Sequence, residues 1–407
     1  MLRRVIVVFH RYAGLVMTVF MIVVALTGSL LAFRTEIERF VAPQLFARER
    51  TGTPLDPATL IEKGYAIEPR VQVLAVSLKE DGRAQLGFQP RIDPATGKRY
   101  ALGFNEIFID PYRGIELGRR RSGDISQGLV NLMPFIRLLH GDLLWRPTGT
   151  RLLGWIAVLW TLDCFAAIYL TLPSWRPLFR PAAGQGWFSR WGTSWRVNWS
   201  RTAFPLNFQL HRAAGLWVWL LVPMFAWSSV YLNLHKVYAP VTGAFLDYPA
   251  HNNHGGELDL PNRLDSPALN WRQAMERGKA ELSKAGFTLR RVESLSYSPT
   301  AGRYTWRVAS NIDIQTTGGR TYVIIDGNSG QLVELRLPSG QHSGLTFTNW
   351  IYALHMANVF GLTYRIAVFV SGLVLTMLSI TGVYIWWKKL GFRRQHGRLV
   401  RHHKQQH

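Results

Sequence analysis

Four hydrophobic runs divide the chain, at residues 12–33, 152–172, 213–234 and 366–387, each uncharged or nearly so. Each is 21 or 22 residues long. At ~1.5 Å rise per residue, a helix of that length covers roughly 32 Å, which matches a hydrocarbon core of ~30 Å. The pattern predicts four membrane-spanning helices. Between the first and second runs, and again between the third and fourth, it changes to shorter segments. WRQAMERGKAELSKAG, from Trp271, has the period of an amphipathic helix, and FTLRRVESLSYS and RYTWRVASN read as strands. IFIDPYRGIEL and VIIDGNSGQLVEL each read as strand, tight turn, strand, with Gly114 and Gly330 supplying the left-handed turn residue.

The same landmarks recur at a nearly constant offset, so the chain reads as an internal duplication. His10 opens HRYAGL and His211 opens HRAAGL, 201 residues apart; His140 in LLHGDLLWRPTGTR and His355 in ALHMANVFGLTYR are 215 apart. Asp110 and Asp326, which start the two turns, are 216 apart. The expected fold class is a membrane all-α four-helix bundle with two α+β modules outside the bilayer. The expected segments are a first helix at 5–33, a module at 34–139 and a second helix at 140–172. A basic loop at 173–206, a third helix at 207–234, a second module at 235–354, a fourth helix at 355–387 and a basic tail at 388–407 complete the chain.

Charge orients this picture. The formal net charge is +22, but all the acids except Asp163 fall in the two stretches 34–150 and 236–360, where Lys and Arg only slightly outnumber them. The remaining basic residues lie at the termini, near helix ends and in 173–206, where Arg176, Arg180, Arg190, Arg196 and Arg201 meet no acid. That is the positive-inside pattern, which predicts both termini in the cytoplasm and both modules outside it, in a multi-pass bacterial inner-membrane protein. It argues against nucleic acid as a partner; the lipid bilayer is the expected one. The first run is too long for a signal peptide and no small-residue cleavage site follows it before Arg34, so it reads as a retained anchor. Cys164 is the single cysteine, which excludes a disulfide framework, covalent haem attachment through CxxCH and iron–sulfur or zinc-ribbon ligation within the chain.

The chemistry left is histidine chemistry. His10 and His211 stand at the inner ends of the first and third helices, His140 and His355 at the outer ends of the second and fourth. Two imidazoles on facing helices are what a b-type haem needs, with the helix core as its apolar slot. Gly14 and Gly215 stand four residues after His10 and His211, on the same helix face, and leave room for a flat macrocycle. Arg11 and Arg212, and at the other face Arg151 and Arg365, are candidates for the propionates. A boundary histidine by itself is more often an interfacial side chain, and a duplication would copy such a residue too. His235 competes for the outer site, and His251 and His254 suit a solvated loop better than a metal chelate. Asp163, the single acid in a span, has no counterpart at Met377 or Leu378 and suits capping or hydrogen bonding as well as proton handling.

The HRxxGL helix starts, the LH-led second and fourth helices and the two D-x-x-x-G hairpins make the chain resemble the PepSY-associated transmembrane family over nearly its whole length. The resemblance implies PepSY-like periplasmic modules and two b-type haems in the bundle, on His10, His211, His140 and His355. It also implies a role in releasing iron from imported ferric siderophores. On that expectation electrons enter from a cytoplasmic or quinol donor and leave to a ferric siderophore. Two other readings stay open: a regulatory protein whose modules bind peptides or a protease, and a siderophore permease component.

Overall fold

The computed structural model describes residues 1–173, 186–249 and 260–405, with side chains of the last segment as far as 391. His251 and His254 lie outside the described residues. The first half runs α1 (Leu2–Leu31), α2 (Arg34–Val41), α3 (Pro57–Ile67), β1 (Val71–Lys79), β2 (Arg83–Pro90), β3 (Glu106–Ile109), β4 (Glu116–Arg120), α4 (Leu132–Asp142) and α5 (Thr148–Thr171). Then come α6 (Trp187–Gly192), α7 (Ala203–Trp217), α8 (Leu221–Asn233), α9 (His235–Gly243) and α10 (Trp271–Lys284). The chain ends with β5 (Leu289–Ser298), β6 (Arg303–Ser310), β7 (Thr321–Asp326), β8 (Leu332–Arg336), α11 (Ser343–His355) and α12 (Gly361–Gln405). Both halves run from apolar helix (in the second half the pair α7 and α8) through shorter helices, four strands and a short helix to a long apolar helix. The chain forms two compact units: a helical unit of residues 1–32, 139–238 and 365–407, and a sheet unit of residues 33–138 and 239–364.

The expectation of an all-α four-helix bundle carrying two separate modules does not hold. Among the described residues three helices are long and apolar enough to cross a membrane: Leu2–Leu31, Thr148–Thr171 and Gly361–Gly391. The run expected to form the third is two helices, α7 and α8, bent by 67°. Pro223 explains the position of the break. It has no N–H for the Trp219 carbonyl four residues back, and its ring crowds that carbonyl, so the helix opens across 218–220. The bend is packed in apolar side chains: Val218 and Val222 cluster with Ala25 of α1, Cys164 of α5, Ala226 of α8 and Leu375 of α12. Small residues let α1 and α12 approach closely. Ser29 donates to its own helix at Ala25 O (3.0 Å) and across to Phe369 O (2.9 Å).

The two expected modules are likewise one body. Among the described residues the strands form a single antiparallel sheet in the order β4-β3-β2-β1-β5-β6-β7-β8. Each half contributes a four-stranded meander, and β1 pairs with β5 in the centre, Val76 opposite Leu295. One core serves both: Leu60 and Ile61 of α3 and Val71, Val73 and Val76 of β1 cluster with Ala274 and Leu282 of α10, Leu295 of β5 and Trp306 of β6. The turns match the sequence reading. Asp110 accepts from the backbone N–H of Tyr112 (2.8 Å) and Arg113 (3.2 Å), and Asp326 from Asn328 (3.1 Å) and Ser329 (2.8 Å). Gly114 (φ 68°) and Gly330 (φ 70°) take the left-handed conformation.

A buried ion cluster ties α2 to this sheet. Glu38 accepts from Arg83 (3.0 Å) and Arg120 (2.6 Å), and both guanidinium groups lie over the Phe108 ring. Burial pushes the Glu38 carboxyl up, but the Arg83 hydrogen bond and the charges of Arg83, Arg120 and Arg34 together outweigh it and hold it at about 2.

Candidate functional site: a held histidine pair

The helical unit brings His10 of α1 and His211 of α7 together. Their ring centres are 6.2 Å apart and the planes cross at 60°. Two imidazoles sharing one metal through bonds of about 2.0 Å stand roughly 6 Å apart centre to centre, so the spacing fits a bis-histidine site. The spacing of the motifs along the chain puts each residue near the start of a helix; the fold puts the two starts side by side.

Each ring is held by its Nδ1. His10 Nδ1 lies 2.9 and 3.1 Å from the two carboxylate oxygens of Asp163 on α5. His211 Nδ1 lies 3.0 Å from Thr381 Oγ1 on α12. The tautomer of His211 follows from the hydroxyl's other bonds. Thr381 Oγ1 is in reach of the carbonyls of Met377 (2.8 Å) and Leu378 (3.2 Å), and with its one hydrogen on either of them it accepts from the ring. His211 is therefore the Nδ1–H tautomer, with the lone pair on Nε2. The Asp163 carboxylate imposes the same tautomer on His10. A metal-binding imidazole has this arrangement: the second nitrogen donates to an acceptor that fixes the ring, and the first is left for the metal.

His140 is held in the same way. It lies in the last turn of α4, and its Nδ1 lies 3.0 Å from Val24 O and 3.1 Å from Thr27 Oγ1 on α1. A carbonyl can only accept, and Thr27 gives its own hydrogen to Val23 O (2.6 Å), so His140 is also an Nδ1–H donor. Gly28 lies against the ring: a Cβ there would stand 3.0 Å from His140 Cε1. Gly382 is placed likewise beside His211, at 3.4 Å from Cε1. His140 and His355 are not the first residues of the spanning helices; they close the short helices α4 and α11, and a break follows each. Leu143 and Leu144 (φ 54° and 61°) turn the chain after His140, and Ala357 and Phe360 (φ 53° and 57°) after His355. Non-glycine residues reach this region at a cost, and both halves accept it at the same place. His355 belongs to the sheet unit and His140 to the helical unit, so their pairing is carried by the duplication alone.

The remaining expected residues divide. A Cβ at Gly14 would meet nothing within 4 Å, and one at Gly215 only Leu378 Cδ2 at 4.0 Å. Arg212 donates to Thr193 O (3.0 Å), and its buried Nε has no hydrogen-bond partner among the described residues. With Arg196, Asn198, Trp199 and Gln209 it lines a cavity of about 640 Å³. Arg11 is half-buried beside His10, and Arg151 is exposed on the first turns of α5. Arg365 closes a helix end, Nε donating to Ala32 O at 2.8 Å. His235 packs edge-on to Tyr231, ring centres 5.9 Å apart.

Sequence reasoning singled out Asp163 but missed Thr27 and Thr381, which hold the other two rings. The signal was present: Thr27-Gly28 and Thr381-Gly382 are the same dipeptide in two apolar runs, each supplying an acceptor and a space beside one ring.

No curated protein matches this chain. Residues 7–389 match the family described as the PepSY-associated TM region. That match takes in the histidine-bearing helices of both halves and the strands between them, and the chain belongs to the PepSY-associated transmembrane family.

Proposed function

We propose that this membrane protein is an electron carrier that holds b-type haem and reduces ferric siderophores. The observation that carries the reading is the His10–His211 pair, 6.2 Å between ring centres with each Nδ1 held by an acceptor on another helix. Bound there, a haem supplies a one-electron Fe(III)/Fe(II) couple. His10 and His211 would offer Nε2 to its iron, Gly14 and Gly215 leave space on their helix faces, and Arg212, whose Nε has no partner among the described residues, would serve a propionate. Arg11 stands in the corresponding place on α1. The repeated histidines are the ground for proposing a second haem on His140 and His355; Arg151 and Arg365 follow them along the chain.

The proposed substrate class rests on the resemblance and is compatible with coordination chemistry. Siderophore oxygens are hard donors that hold Fe(III) far better than Fe(II). One electron per iron, from a quinol or a cytoplasmic partner, therefore loosens the chelate. The charge pattern supports release outside the cytoplasm, with both termini inside. The bent α7–α8 pair is the feature that most favours the permease reading, since broken helices form transporter sites. Its break is filled by Val218, Val222, Ala25 and Leu375, which offer a polar substrate nothing.

The test is the visible spectrum and haem content of the purified protein. Wild type should show a Soret band, reducible α and β bands and two haems per chain. His10→Ala and His211→Ala should each leave about one haem, with the same residual spectrum; His140→Ala or His355→Ala should remove the other. Reduced protein freed of reductant should then be reoxidised by a ferric hydroxamate while a ferrous chelator reports Fe(II). Absence of haem overturns the reading; haem that stays reduced against several ferric siderophores overturns the substrate.

A further inference from the structure

We infer that Asp163 is a positioning residue for His10 and lowers the potential of a haem held on His10 and His211. The inference rests on the haem reading above and deepens it. Asp163 sits inside the spanning helix α5, 7% exposed, and both of its carboxylate oxygens lie on one atom, His10 Nδ1. An acid in a span is costly to keep and points to a use, with its partner naming the use.

The duplication makes the choice of residue informative. His211 is the counterpart of His10, and α12 is the counterpart of α5. In the second half the ring is held from α12 by Thr381; in the first it is held from α5 by Asp163. The same task has been given a neutral hydroxyl on one side and a carboxylate on the other. His140 is held by a hydroxyl and a carbonyl, both neutral.

A carboxylate draws the Nδ1 proton toward itself more strongly than a hydroxyl or a carbonyl does. Electron density moves to Nε2 and the ligand becomes more basic, as in carboxylate–histidine–metal arrangements. A more basic axial ligand and a nearby negative charge both favour Fe(III) over Fe(II), and the potential falls. The low dielectric around a 7% exposed acid strengthens the effect.

The experiment is a potentiometric titration of the purified full-length protein, followed by its absorbance bands. The wave of the His10–His211 site, expected to be the lower, is assigned by its loss in His211→Ala. In Asp163→Asn the lower wave should move upward by at least tenfold in the redox equilibrium constant, which is 59 mV for a one-electron couple. The upper wave should stay in place, and the g-values of one low-spin ferric signal should change. Asp163→Glu should keep the lower wave near its wild-type position. Thr27→Val, as a control, should move the upper wave and not the lower. A lower wave that stays put in an Asp163→Asn protein with both haems overturns the inference, as does movement of the upper wave instead. Should Asp163→Asn lose its haem, Asp163→Glu decides: two haems with the lower wave in place support the inference, and loss of haem there too overturns it. A wild-type protein without haem overturns the haem reading itself, a result distinct from any of these.

Discussion

A histidine can bind a metal through one nitrogen only while the other holds the proton, so the small residues around each ring matter as much as the ring. Thr27-Gly28 and Thr381-Gly382 each combine an acceptor for Nδ1 with a position that leaves the ring room. The two glycines differ in how tightly they are used. A Cβ at position 28 would stand 3.0 Å from His140 Cε1, closer than a methyl normally packs, whereas one at position 382 would be at 3.4 Å, near ordinary contact. Gly28→Ala should therefore displace His140 and weaken its haem by about 10- to 100-fold, the range that loss of an outer-shell support costs. Gly382→Ala should change the His211 haem little. Haem transfer to an excess of an apo-globin, followed spectrally for each variant, measures both; equal losses would show that the glycines serve the helix and not the ring.

At the level of elements, what the sequence made legible was whatever has a local period. Strands β3 to β8, the D-x-x-x-G turns with Gly114 and Gly330, and three of the spanning helices announce themselves in this way, whereas β1 and β2 were not read. The α7–α8 break was not legible because mean hydropathy over 213–234 is indifferent to a bend, although Pro223 marks it. His140 and His355 were read as the heads of spanning helices because apolar runs follow them at once; the left-handed Leu143, Leu144, Ala357 and Phe360 carry no signal in their side chains. The candidate ligands were legible as a repeat, but Asp163, Thr27 and Thr381 act across helices, and such partners have no fixed sequence separation. Helix–helix contact is where the site is most exposed to small changes. Gly372 of α12 is pressed on α1 so closely that a Cβ would meet the Ala25 carbonyl at 2.7 Å. Backbone cannot rotate away as a side chain can, so Gly372→Ala must separate the two helices. A destabilisation of roughly 1–3 kcal/mol is expected from such overpacking. It should appear as a lower midpoint in thermal unfolding of the detergent-solubilised protein, with Gly391→Ala, where a Cβ meets nothing within 4 Å, as the unaffected control.

For the whole molecule, the duplication has a consequence that two separate modules would not have. Strands β1 and β5 are central in the sheet, yet each would be an edge in its own half. Between them, Ala75, Val76 and Ser77 face Ser296, Leu295 and Ser294. Val76 and Leu295 are fully buried, and on the helices above the sheet Arg272 of α10 reaches Asp56 (3.4 Å) and Thr59 (3.1 Å) at the start of α3. Separating the halves would expose an unpaired strand edge on each and return shared core side chains to water, at about 1.5–3 kcal/mol for each large one. A small domain is marginal by 5–15 kcal/mol, so the loss of a few such residues removes most of its stability. Residues 1–201 produced alone should therefore aggregate or unfold, and residues 202–407 likewise. Produced together in one cell, the two pieces should meet across β1 and β5 and purify as a 1:1 complex, because the cut before Thr202 falls in neither the sheet nor a spanning helix. Size-exclusion chromatography of the three preparations decides the matter. A monodisperse first half with native-like circular dichroism would mean that each half folds by itself and that the continuous sheet is a contact between finished modules. An ordered complex obtained only on co-production would mean that the duplicated halves fold as one object.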